Sequence, residues 1–144
     1  MVEKRDIINV LKGKTCYVLF SGGKDSLCAL ALMKEIGDEA NVPVRAIHVD
    51  TTVSLPENLE YVGDICRRLD VPLDIVSPEE DFFSMAKRFG APRFNARWCC
   101  YALKIKPIRD YLRRRPQGKI VADGIRRGES RKRKGYSWFW YDKK

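Results

Sequence analysis

Cys16-Tyr17-Val18-Leu19-Phe20-Ser21-Gly22-Gly23-Lys24-Asp25-Ser26, followed by the apolar run Leu27 to Met33, decides how the chain is read. Residues 16–20 have the length and the β-branched and aromatic content of a buried strand, while the run after Ser26 is long enough for a helix and ends at Ile36-Gly37. Strand, glycine turn and helix therefore follow one another. Glycine lets another group approach the backbone closely, and the first N–H groups of the helix, aided by its dipole, face whatever anion sits in the turn. Gly22-Gly23 alone would fit a turn with no ligand. Ser21, Lys24, Asp25 and Ser26 add donors, a cation and a candidate Mg²⁺ ligand at the same point, which points to phosphate. The loop is not a Walker A sequence, because Asp25 rather than Ser or Thr follows Lys24; Gly13-Lys14-Thr15 imitates the end of that motif but precedes the strand.

Working outward, strands and helices alternate. Residues 1–14 carry Ile7, Ile8 and Leu11 on one side of a short helix ending at Gly13. Val44 to Val49 is a second strand, stopping at Asp50-Thr51-Thr52. Ser54-Leu55-Pro56-Glu57 has the form of a capping box before a helix with Leu59, Val62, Ile65, Cys66 and Leu69 at helical spacing. Val71 to Val76 reads as a third strand. Ser77-Pro78-Glu79-Glu80 reads as the cap of a helix carrying Phe82, Phe83, Met85 and Phe89. Arg93 to Cys100 is irregular, a helix with Leu103, Ile108, Tyr111 and Leu112 stops before Pro116, and Lys119 to Ala122 is a fourth strand. This alternation predicts an α/β fold with a doubly wound parallel sheet, its ligands at the carboxyl ends of the strands. Asp50 and the turn at Gly124 fall on that edge.

A chain of 144 residues amounts to one domain, taken as 1–144. No apolar run approaches the roughly 20 residues that span a bilayer, and the N-terminus is mixed in charge, so a soluble, cytoplasmic protein is expected. Five cysteines, an odd number, do not form a secreted disulfide framework. Cys16, Cys28 and Cys66 fall on apolar faces and read as core. Cys99-Cys100, beside Arg97 and Lys104, suits a metal, a cluster or redox chemistry, although two ligands do not complete a tetrahedral site. The net charge of +9 is uneven: residues 1–100 carry 13 Lys and Arg against 15 Asp and Glu, and residues 101–144 carry 15 against 4. The last third therefore favours an anionic partner.

Ser21 to Ser26 after a first strand resembles the PP-loop of the adenine nucleotide alpha-hydrolase superfamily, whose fold is Rossmann-like. Three more stretches are similar to the phosphoadenosine phosphosulfate (PAPS) reductase family within it. These are Asp50-Thr51-Thr52 with Pro56-Glu57, where Thr52 departs from the family's glycine; Trp98 to Pro107 with its Cys-Cys, Lys and Pro; and Gly124-Ile125-Arg126-Arg127-Gly128-Glu129-Ser130-Arg131-Lys132-Arg133. The resemblance implies an adenine nucleotide ligand (adenylyl sulfate, PAPS or ATP) and Mg²⁺. It places Ser21, Gly22, Gly23, Lys24, Asp25 and Ser26 on phosphate, His48 to Asp50 near adenosine, and Gly124, Arg126 and Arg127 at the distal anion. His48, the single histidine, reads as a packed strand residue. The resemblance also implies a redox partner such as thioredoxin, and an iron–sulfur cluster or zinc at Cys99 and Cys100.

The later Cys-x-x-Cys of the iron–sulfur members and the C-terminal reductant cysteine do not occur in these residues, so the chain is either a minimal member or C-terminally incomplete. Three functions remain open. One is sulfonucleotide reduction or sulfur transfer. Another is ATP pyrophosphatase chemistry on an acceptor such as tRNA, bound by the basic last third. The third is a non-enzymatic nucleotide- or RNA-binding module using Arg131 to Lys134, with Trp138, Phe139 and Trp140 stacking or forming a core or homo-oligomer contact.

Overall fold

The computed structural model describes residues 3–116, 118–126, 128, 133–137 and 139. Four strands pair in parallel among them: β1 (Thr15–Leu19), β2 (Val44–Val49), β3 (Leu73–Val76) and β4 (Lys119–Asp123), in the order β3-β2-β1-β4. Consecutive positions of β1 are buried on opposite faces, with Cys16 and Val18 fully buried on one and Tyr17 on the other. That is the mark of a parallel sheet covered on both sides.

Helices α1 (Lys4–Leu11), α2 (Lys24–Ala40) and α3 (Pro56–Arg68) cover one face, packing Leu11, Leu30, Ile36, Val62 and Cys66 against Cys16, Val18, Phe20 and Ala46. On the other face Ile108, Tyr111 and Leu112 of α6 (Lys106–Arg113) meet Tyr17, Ile47 and Val76. The chain thus winds β1 to β3 outward along the sheet, then crosses to the opposite face and returns to pair β4 with the free side of β1. The doubly wound parallel sheet expected from the sequence is what forms. No helix among the described residues is long and apolar enough to cross a membrane.

Several local expectations shift. Helix α2 runs through Gly37, whose missing side chain lets it lie against Val44, and ends at Asn41 in the left-handed region, φ 52°. The capping box at Ser54 does not form: Pro56 confines Leu55 to extended backbone and makes Leu55 the N-cap, while the Ser54 hydroxyl lies 3.1 Å from Thr51 Oγ1. Strand β3 starts at Leu73 rather than Val71, because the Val71 N–H closes the end of α3 on Cys66 and Pro72 has no N–H to give. Helix α4 (Phe82–Phe89) is capped by Asp81, not Ser77, since the Asp81 carboxylate accepts from the N–H groups of both Phe83 and Ser84.

Cys16 and Cys66 are core residues as expected, and burial pushes the Cys16 thiol up to about 12. Cys28 is not: it is exposed one turn from the exposed Leu32, on the solvent side of α2, while Leu30, Met33 and Ile36 take the buried stripe. Cys99 and Cys100 belong to a single helical turn, α5 (Trp98–Cys100), which passes through a π-helical segment, Tyr101–Ile105, into α6.

Candidate functional site

Strand β1 pairs with β2 on one side and β4 on the other, and the chain reaches β2 by way of α2 on one face and β4 by way of α6 on the other. In open α/β sheets the ligand crevice lies at such a switch point, outside the carboxyl ends of the strands. The loop after β1 is Ser21 to Gly23. Gly22 has φ +88°, and a Cβ there would lie 2.6 Å from Asn58 Oδ1, so the loop is seated against the first turn of α3. Asn58 supports the loop from another element, and nothing in the sequence near residue 22 announces it.

Ser26 is 7% exposed and braces the loop from inside. Its Oγ accepts from the Ser21 N–H at 3.3 Å, donates to the Gly23 carbonyl at 2.9 Å and lies 3.1 Å from Ser21 Oγ. Gly23 is the N-cap of α2 and no side chain caps the helix. The helix therefore presents the N–H groups of its first turn, together with exposed Lys24, at the crevice.

Gly124 closes the crevice from the β4 side. A Cβ on it would stand 2.6 Å from the Asp25 carbonyl oxygen and 2.8 Å from the Ser26 nitrogen. Arg126 Nε meets Asp25 Oδ2 at 3.0 Å. Asp25, expected to hold Mg²⁺, faces this guanidinium. Asp123, which sequence reasoning passed over, ends β4 opposite Leu19. The residue as a whole is exposed, yet local burial round its carboxyl group pushes the pKa above the usual carboxylate value. Arg127, Glu129, Ser130 and Arg131 lie outside the described residues, as do Lys132, Trp138 and Trp140.

Strand β2 brings two more groups. His48, 3% exposed, has Nδ1 2.8 Å from the Phe20 carbonyl oxygen, fixing the residue that leads into the loop. A carbonyl can only accept, so Nδ1 carries the proton. Asp50 Oδ1 accepts from the Thr52 N–H at 2.9 Å. Thr52 Oγ1 in turn accepts from Phe82 N–H at 3.0 Å, and the Phe82 ring stacks on Trp98 at 5.6 Å. The cysteine turn is thus joined to the rim at Asp50 through Phe82. Cys99 is half-buried and Cys100 exposed, and among the described residues no three His, Cys, Asp or Glu side chains gather as a metal site. Two thiols there do not fit a complete zinc or cluster ligand set.

The sequence model of the phosphoadenosine phosphosulfate reductase domain matches residues 15–144. An uncharacterized protein of Methanocaldococcus jannaschii is 32% identical over 119 residues, which are 81% of this chain and 24% of that protein. The tRNA(Ile)-lysidine synthase of Clostridium tetani is 30% identical over 90 residues, 60% of this chain and 18% of that protein. The chain spans about a quarter of the length of the first curated relatives it matches. A phosphoadenylyl-sulfate (PAPS) reductase of Candida auris, solved as a phosphate complex, shares the fold with a TM-score of 0.56 at 17% identity, covering 85% of this chain and 72% of that one. With its PP-loop sequence at the switch point and the family match running through β1 to β4, the chain belongs to the PAPS reductase domain family of the PP-loop superfamily.

Proposed function

We propose that residues 1–144 act as a single nucleotide-binding domain that holds an adenylyl sulfate-type nucleotide for sulfonucleotide reduction or sulfur transfer. The phosphate sits in the loop Ser21 to Ser26, the adenosine lies toward Asp50, and Arg126, joined by Arg127, takes the distal anion. The observation that carries this reading is the direct packing of Gly124 on Asp25 and Ser26, which brings the Arg126 guanidinium to the mouth of an uncapped helix N-terminus. Bare N–H groups and a guanidinium converging on one crevice are what a sulfate or phosphate group requires. In this chemistry Lys24 and Arg126 neutralise charge, while Ser26 and His48 keep the loop in shape. No step is assigned to Cys99 and Cys100.

Gly23 supplies the test. Its backbone, φ −80°, suits any residue, and a Cβ there would meet only Ser21 Oγ at 3.5 Å. Gly23→Val should fold normally and bind adenosine 5′-phosphosulfate at least tenfold more weakly by calorimetry, because its side chain occupies the anion's approach. A folded variant with unchanged affinity would overturn the site.

A second reading, ATP pyrophosphatase chemistry with adenylation of an acceptor, is favoured by the similarity to tRNA(Ile)-lysidine synthase. Selective binding of ATP and release of pyrophosphate with a tRNA acceptor would establish it over the first.

A further inference from the structure

Thr52 is a β-branched residue held at φ +65°, in the left-handed region. Such backbone is unfavourable for a branched side chain, so its persistence asks what the side chain does there. The N–H groups at the start of α4 give the answer. Asp81 satisfies Phe83 and Ser84 with its carboxylate, and its carbonyl takes the Met85 N–H. Phe82 is left over, and Thr52 Oγ1, thirty residues away, accepts its N–H at 3.0 Å. The positive φ turns the Thr52 side chain toward α4 while its own N–H returns to Asp50 Oδ1. One residue therefore ties the rim of the crevice after β2 to the element after β3. From Phe82 the connection continues by stacking to Trp98, the residue before Cys99.

We propose that Thr52 is a positioning residue: its hydroxyl sets α4, and with it the Trp98–Cys100 turn, against the nucleotide rim at Asp50. The proposal rests on the nucleotide reading above. In the nucleotide-bound domain the loop keeps one arrangement instead of several, and affinity is gained because that order is already present before the ligand arrives. Glycine meets the backbone demand more easily than threonine does, but it has no acceptor to offer Phe82.

Three variants separate hydroxyl, backbone and branch. Thr52→Gly removes the strain and the acceptor together; Thr52→Ser keeps the acceptor; Thr52→Val keeps the branch without it. Amide exchange at Phe82, followed by NMR in the absence of ligand, reads the tether, and calorimetry with adenosine 5′-phosphosulfate and ATP reads the rim. Thr52→Gly should unfold at about the parent's temperature yet exchange at Phe82 about fivefold faster and bind about fivefold more weakly, Thr52→Val should lose both as Thr52→Gly does, and Thr52→Ser should return both toward the parent. Unchanged exchange at Phe82 in the Gly variant overturns the tether. Faster exchange with unchanged affinity overturns the positioning role. A parent protein that binds neither nucleotide defeats the nucleotide reading itself, and the Phe82 measurement then still decides whether the tether exists.

Discussion

The α-carbon of Gly124 faces the backbone of Asp25 so closely that a methyl group there would lie 2.6 Å from the Asp25 carbonyl oxygen. Backbone cannot yield as a flexible side chain can, so Gly124→Ala must push β4 and the start of α2 apart. It is expected to destabilise the domain by about 2 kcal/mol, in the range of overpacking substitutions. Thermal unfolding checks the cost. Calorimetry should show that nucleotide binding is lost even at temperatures where the variant is folded.

Arg126 and Asp25 form a largely exposed pair, so breaking it should leave the unfolding temperature almost unchanged. Binding is another matter. With the guanidinium proposed to grip the distal anion, Arg126→Ala is expected to weaken adenosine 5′-phosphosulfate by about thirtyfold, equivalent to about 2 kcal/mol, and AMP much less. Arg126→Lys should recover only part, lacking the planar fork. Equal losses for both ligands would remove Arg126 from the distal anion.

The opposite edge of the sheet provides a pH prediction. Arg45 donates to Asp74 from Nε at 2.8 Å and from its terminal nitrogen at 2.9 Å, and this pairing holds the Asp74 carboxyl below the usual carboxylate range. A lowered folded pKa stabilises above the unfolded value near 4, and the contribution disappears as pH falls through the folded value. Asp74→Asn should therefore cost about 1 kcal/mol at neutral pH and progressively less on acidification. Urea unfolding from pH 7 down to about pH 2.5 measures the difference; a constant gap across that range would contradict the pairing as its source.

Asp123 has the opposite sign. Its raised carboxyl pKa, caused first by burial, means that the folded state prefers the protonated form. The resulting stabilisation is present below the unfolded value near 4 and is lost as pH rises through the folded one. As pH rises, the carboxylate becomes a burden beside the proposed anion site. Asp123→Asn should raise the unfolding temperature at pH 7, give no gain near pH 3, and tighten nucleotide binding most at the higher pH. No pH dependence of the mutational gain would rule this out.

The loop Ser21 to Ser26 and the parallel alternation were legible because they are written locally: apolar strand, glycines and helix adjoin one another in sequence. Asp50 and Gly124 were legible through a topological rule applied to strand ends. What was not legible joins distant segments. Asn58 under Gly22, Thr52 on Phe82 and His48 on the Phe20 carbonyl each depend on where a separate element comes to rest. Asp81 replaced Ser77 as a cap because competing acceptors within five residues differ by their final geometry, not by residue type. Cys28 looked apolar in a one-dimensional run, yet a helix shows only one stripe to the sheet.

Strand β4 joins β1 across roughly a hundred residues, Thr15 lying opposite Lys119. Closing so long a loop is entropically slow, and among the described strands it is the last pairing that a chain made from its N-terminus can complete. A nascent polypeptide that has emerged only as far as α6 already holds the PP-loop sequence, but the wall formed by Gly124 and Arg126 does not yet exist for it. The proposed nucleotide capture at this edge would therefore wait for β4, which makes ligand binding a report on the β1–β4 pairing rather than a guide to the steps before it.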